Sequence, residues 1–260
     1  MNTVIEPTVA GRSWLRFLIG FTVVWGVLAG LGEFDATGRW GLVILLAVAA
    51  AAVAVEIVLY KTPVRRAIGF LGLRRPNGRA VALAAAISCL VLLVYPLTTA
   101  VTGAQFRLVP NWPWILLGIF AFHGLAEEIV WRGFAFRRLS VGRPFRAAVL
   151  LTMPLIAAAH IPVVINNGVV VAIGAMVVAA VTSIPFSYLY VTGRCTIWAP
   201  ALIHTAIDTF KIVVIPEAAV TTYSLLLIGV SIVVPLLALA VPRPVLTRST
   251  APAAEREPAR

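Results

Sequence analysis

Apolar residues dominate this chain in long runs, and polar residues are confined to short breaks between them. Eight such runs stand out, at 14–32, 40–60, 80–101, 114–133, 147–165, 169–192, 197–215 and 223–241. A helix rises about 1.5 Å per residue, so each run can cross a hydrocarbon layer about 30 Å thick. The pattern predicts an all-α, polytopic transmembrane helical bundle of about eight spans. Three runs have soft boundaries: the first is trimmed by Arg16, the sixth starts in a Gly-rich stretch and the eighth is interrupted by Pro. A count of seven therefore stays open. The first run reads as a retained span and not as a signal peptide, because no small-residue cleavage site leads into a soluble domain.

Composition agrees with lipid as the solvent: 61% of the 260 residues are hydrophobic, 12% are charged and mean hydropathy is +0.99. Charge then orients the bundle. With eight crossings, Arg12, Arg16, Lys61, Arg65, Arg66, Arg74, Arg75, Arg79, Arg137, Arg138, Arg143, Arg146, Arg194, Arg243, Arg248, Arg256 and Arg260 fall on one side. Only Arg39 and Arg107 flank the other. Cytoplasmic loops are enriched in Lys and Arg, so both termini are expected in the cytoplasm. The net charge of +11 is spread over short loops and not gathered into an aromatic-interleaved patch. It reads as a topology signal and a contact with membrane lipids, not as nucleic-acid binding. The basic stretch 61–79 interleaves Ile68, Phe70, Leu71 and Leu73 and suits the membrane surface.

Residues 1–241 read as a single transmembrane domain. Residues 242–260, rich in Ala, Pro, Glu and Arg, read as a disordered cytoplasmic tail. Cys89 and Cys195 give neither a disulfide framework nor metal-ligand spacing.

Ionisable side chains inside a span cost about 2.5–3.5 kcal/mol each on insertion scales, so those retained usually serve a function. Here they gather in three runs. The fourth carries His123, Glu127, Glu128 and Arg132, the fifth His160, and the seventh His204, Asp208 and Lys211. Residues four apart share a helix face, so Glu128 should pair with Arg132 and leave Glu127 on a different face, one turn below His123. His204 and Asp208 are also four apart. Lys211, nearer the outer end, reads as a snorkelling residue or a partner of Asp208. Counting along the runs puts Glu127, His204 and His160 at unequal depths, with Pro154 able to disturb the fifth helix.

The text EEIVWRGF at 127–134 resembles the EExxxR signature of the CPBP family, the CAAX protease and bacteriocin-processing (Abi) intramembrane endopeptidases. His160 stands where that family carries the His of its second motif. IWAPALIHTAID at 197–208 is similar to the third, a Trp and Pro followed by His and a polar residue four later. The CPBP-like core is 114–215. Two positions depart from the pattern, Ile156 where Phe is usual and Asp208 where many members have Asn.

The resemblance implies an endopeptidase that hydrolyses a peptide bond of a membrane-associated protein or peptide. Glu127 and His160 would activate water, His204 and Asp208 would hold the tetrahedral oxyanion, and Glu128 with Arg132 would fix the surrounding electrostatics. No cofactor is implied by this assignment, although two His and one Glu could alternatively hold zinc with an open position for water. Two other classes use similar residues: a transporter or proton relay, against which the lack of repeated halves counts, and a non-proteolytic scaffold of the same fold. Composition and the absence of a large soluble region suggest a bacterial plasma membrane.

Overall fold

The computed structural model describes residues 12–35 and 37–247, so Arg248, Arg256, Arg260 and most of the expected tail lie outside the described residues. The fold is a polytopic all-α bundle. Among the described residues, seven helical segments are long and apolar enough to cross a membrane: Ser13–Phe34, Gly41–Tyr60, Gly78–Thr102, Trp112–Leu139, Phe145–Ile165, Gly168–Thr192 and Glu217–Ala240. Side chains such as Leu46, Ile165 and Val170 stay at least 70% exposed on the rim, as lipid-facing residues do.

These segments are built from α1 (Arg12–Phe34), α2 (Gly41–Tyr60), a short α3 (Val64–Phe70), α4 (Gly78–Leu92) with α5 (Val94–Thr102), and α6 (Trp112–Ile119). After α6 the fourth span continues as two π-helical stretches, Phe120–Ala126 and Ile129–Phe136, and closes with α7 (Arg137–Leu139). Then come α8 (Phe145–Ala158), α9 (Val163–Thr192), α10 (Trp198–Ile207), α11 (Val220–Leu236) and α12 (Arg243–Thr247).

The seventh apolar run, expected as a full span over 197–215, folds as the ten-residue α10, a 3₁₀ turn at Asp208–Ile212 and the strand β2 (Val213–Val214). It nevertheless travels from one end of the bundle to the other. At its start the Trp198 indole N–H donates to the Arg74 carbonyl (2.8 Å), and at its end β2 pairs antiparallel with β1 (Arg107–Leu108). The seventh run is therefore shorter than the full span expected, and among the described residues seven segments, not eight, are of crossing length. Ten α residues at 1.5 Å and five 3₁₀ residues at 2.0 Å cover roughly 25 Å, enough for a segment enclosed by protein on its flanks.

One end of the bundle gathers most of the basic residues. There Arg143 lies 5.3 Å from the Trp14 ring, Arg138 pairs with Glu56, and the Asn77 amide donates to the carbonyls of Thr192 (3.1 Å) and Leu246 (2.7 Å). That last bond, with Arg79 donating to the Val245 carbonyl, gives the first residues after 242 a docking place, so Arg243–Thr247 is helical. The 61–79 stretch is only partly a surface segment. Val64 and Ile68 are exposed, whereas Leu71 is fully buried against the fourth span.

The fourth span is the axis of the bundle. Of its most apolar window 72% is buried, against 22–28% for the other six, although it is the least apolar of the seven. Its polar residues are therefore enclosed by helices and not by lipid, which is the arrangement that tolerates ionisable groups at depth. It also outruns the expected 114–133 because Arg132, Arg137 and Arg138, which end the apolar run, are neutralised or stacked within the protein.

Candidate active site

The two π-helical stretches meet at Glu127–Glu128. A π turn closes its hydrogen bond from i to i+5 and is often found at functional sites. His123 Nδ1 lies 2.7 Å from Glu127 Oε1, and the Arg132 guanidinium donates to Glu128 Oε1 at 2.8 Å. Both four-residue spacings expected from the sequence are thus realised as contacts. The two carboxylates differ in access. Glu128 and Arg132 are sealed at 0% and 3% side-chain exposure, while Glu127 keeps 17%.

The seventh traverse brings the other half of the cluster. α10 lies so close to the fourth span at Gly124 that a Cβ there would sit 2.6 Å from Thr205 Oγ1 and 3.1 Å from the Ala201 carbonyl. This approach carries His204 between the two glutamates. Its Nδ1 is 3.0 Å from Glu128 Oε1 and its Nε2 is 3.7 Å from Glu127 Oε2. Asp208, at the first position of the 3₁₀ turn, places Oδ2 3.4 Å from His123 Nδ1 and 4.0 Å from His204 Nε2. His123, which the sequence offers only as a neighbour, is thus the link between Glu127 and Asp208. Phe122 stacks on its ring at 4.1 Å. Lys211 lies over the Phe210 ring at 5.6 Å.

His160 is held apart from this cluster. α8 ends at Ala158, so the residue sits on the turn between α8 and α9, where its Nδ1 lies 2.9 Å from the Ile156 carbonyl. Among the described residues it makes no ion pair with Glu127, Glu128 or Asp208, although it is within electrostatic reach of Glu127. A carbonyl oxygen can only accept, so the Nδ1 nitrogen carries the proton and the Nε2 nitrogen is left for another partner.

Three polar atoms of the cluster, His123 Nε2, Glu128 Oε2 and Arg132 Nε, are buried without a hydrogen-bond partner. Chemically the group offers one accessible carboxylate, two imidazoles beside it and a second acid within reach. Among the described residues no three or more His, Cys, Asp or Glu side chains converge so as to hold a metal ion, and His123 and His204 turn their nitrogens toward carboxylates.

Sequence reasoning passed over a second buried pair. Glu56, fully buried inside the apolar run of α2, receives both the Nε and Nη2 donors of Arg138 and the Thr62 hydroxyl. A lone Glu four residues before the end of an otherwise apolar run was the available signal.

No curated protein and no solved structure matches the chain. Residues 109–210 match the family model described as type II CAAX prenyl endopeptidase Rce1-like. That match spans every candidate residue from His123 to Asp208, so over 109–210 the chain is similar to the type II CAAX prenyl endopeptidase family, the CPBP family.

Proposed function

We propose that this protein is a glutamate-dependent intramembrane endopeptidase, in which Glu127 and His160 activate the attacking water and His204 with Asp208 stabilises the tetrahedral oxyanion. The observation that carries the reading is the asymmetry of the paired glutamates. Glu128 is closed off by Arg132 and His204, whereas Glu127 keeps an accessible edge that faces His204 Nε2 across 3.7 Å.

In this mechanism the Oε2 atom of Glu127 takes a proton as the water oxygen attacks the scissile carbonyl carbon, with the His160 Nε2 lone pair orienting the water. Charge that develops on the carbonyl oxygen is met by the His204 Nε2–H, with Asp208 beside it as a second donor only when it carries a proton, since an ionised carboxylate has none to donate. The proton held on Glu127 then passes to the leaving amine as the carbon–nitrogen bond breaks. Glu128 and Arg132 hold the helix and keep His204 turned toward the site. The substrate is a membrane-associated protein or peptide, of the prenylated CAAX type that the family match suggests. By the distribution of basic residues, the Arg-rich end and both termini face the cytoplasm of a bacterial cell.

Cleavage of membrane-anchored peptides in liposomes tests the reading. Glu127→Ala and His160→Ala should each abolish turnover, and a strong chelator should leave the wild type active. Loss of activity on chelation, or full activity of Glu127→Ala, would overturn it.

A further inference from the structure

The segment between α2 and α4 does more than connect them. It lies across the basic end of the bundle and holds both halves of the polar cluster at once. On the fourth span it packs at Gly133, next to Arg132: a Cβ there would come within 2.4 Å of the Leu71 carbonyl, and the Leu71 side chain is fully buried. Phe70 lies under Arg137 (4.1 Å) and Arg138 (4.4 Å), and Arg138 is fixed in turn by Glu56. On the α10 side, the Ile197 N–H donates to the Gly72 carbonyl (3.3 Å), and the Trp198 indole donates to the Arg74 carbonyl (2.8 Å). Gly72 makes the turn between the two contacts at a φ of 83°, in the left-handed region that side chains avoid.

We propose that this strap, residues 61–75, is a clamp that sets the position of His204 relative to Glu127 and Glu128, with Trp198 as its positioning residue on α10. Trp198 and Ile197 start the helix that carries His204 six residues on. A side-chain tip lies roughly 5–6 Å from a helix axis, so each 10° of rotation moves it by about 1 Å. The 3.0 Å contact of His204 with Glu128 would not survive a rotation of that order. Holding the first turn of α10 to the strap, and the strap to Gly133, fixes that rotation.

The inference rests on the proposed endopeptidase reading for its kinetic consequence and on geometry alone for its structural one, so the test has two arms. The chain holds three histidines, His123 and His204 in the cluster and His160 beside it, so ring-¹⁵N histidine spectra in nanodiscs carry only six nitrogen signals, two from each ring. Trp198→Phe keeps the packed ring and removes the donor. It should shift the His204 nitrogens, lower kcat by about tenfold with KM within about twofold of wild type, and displace the pH profile of kcat. Gly133→Ala, which pushes Leu71 away, should move the same nitrogens. His204 signals and kcat unchanged in Trp198→Phe would overturn the clamp. So would an activity loss that only tracks the loss of folded protein. A wild type that cleaves nothing would overturn the enzymatic reading and leave the nitrogen shifts to decide the clamp.

Discussion

Gly124→Ala probes the contact on which the whole cluster depends. The new methyl carbon would stand 2.6 Å from Thr205 Oγ1, 3.1 Å from the Ala201 carbonyl and 3.2 Å from Phe120 Cδ2. Ordinary van der Waals contact begins near 3.4 Å. Thr205 cannot simply turn aside, because its hydroxyl donates to that same Ala201 carbonyl at 2.7 Å and is buried. Relief of the hydroxyl overlap therefore needs a shift of roughly 0.8 Å of α10 away from the fourth span. The same shift stretches the 3.0 Å and 3.7 Å contacts of His204 with Glu128 and Glu127. Overpacking of this kind costs about 1–3 kcal/mol in stability, and a misplacement near 1 Å costs about 10²-fold in rate. Thr205→Ala removes the worst overlap and leaves the milder contacts with the Ala201 carbonyl and Phe120 Cδ2. The double variant Gly124→Ala with Thr205→Ala should therefore recover at least 1 kcal/mol over the additive sum, and about tenfold in turnover. Thermal unfolding in detergent and peptide cleavage in liposomes read the two quantities. Wild-type turnover and stability in Gly124→Ala, or no coupling with Thr205→Ala, would refute the argument that this close approach positions His204.

Three further outcomes follow from other contacts. Arg138→Met leaves the fully buried Glu56 carboxylate with only the Thr62 hydroxyl, so it should cost about 3–5 kcal/mol by thermal unfolding; Glu56→Met in the same chain should restore much of it. Asp208→Asn supplies an amide donor in place of the acid and should keep turnover within a few-fold, whereas Asp208→Ala should lose about 10²–10³-fold in kcat, the scale of one oxyanion donor. Outside the spans, burial acts to raise the Asp35 carboxyl, but hydrogen bonds from the Trp40, Thr37 and Gly38 backbone and the Thr37 hydroxyl outweigh it and hold the pKa below the ordinary value of 3.8. A depressed folded-state pKa stabilises above the ordinary carboxylate range and is lost as pH falls through the folded value. Wild type should therefore lose more stability than Asp35→Asn between about pH 5 and pH 2, and parallel pH curves would show that the loop at 35–40 does not depend on that charge.

Much of this site could be read from spacing, because helix geometry is local. His123 with Glu127 and Glu128 with Arg132 are pairs four residues apart, and they meet within one helix. What joins different helices was less visible. Hydropathy averages over a window, so Glu56 disappears inside α2 and the seventh run looks like a full span even though Asp208 turns it into 3₁₀ helix. Backbone closeness left no hydropathy signal at all: Gly124 and Gly133 read as ordinary small residues until Thr205 and Leu71 are seen beside them. The burial of Leu71 likewise depends on a glycine more than sixty residues away, which no surface-helix pattern could show.

The π-helical run through the fourth span has a consequence for how such a site can originate and how it can be lost. A π turn holds one residue more than an α turn, so a single inserted codon in an ordinary membrane helix is enough to produce one. The insertion leaves the lipid-facing flanks in register and redirects only the residues around it. Here that surplus falls about the Glu127–Glu128 step, with wide turns on both sides. A deletion of one residue between Phe120 and Phe136 would let a wide turn relax to α geometry, leave the flanks in register and redirect the residues beside the deletion by about 100°. Such a chain could still insert and pack, but its two acids would face different neighbours. Length variation within these seventeen positions, and not substitution alone, is therefore a route by which this scaffold could change its chemistry.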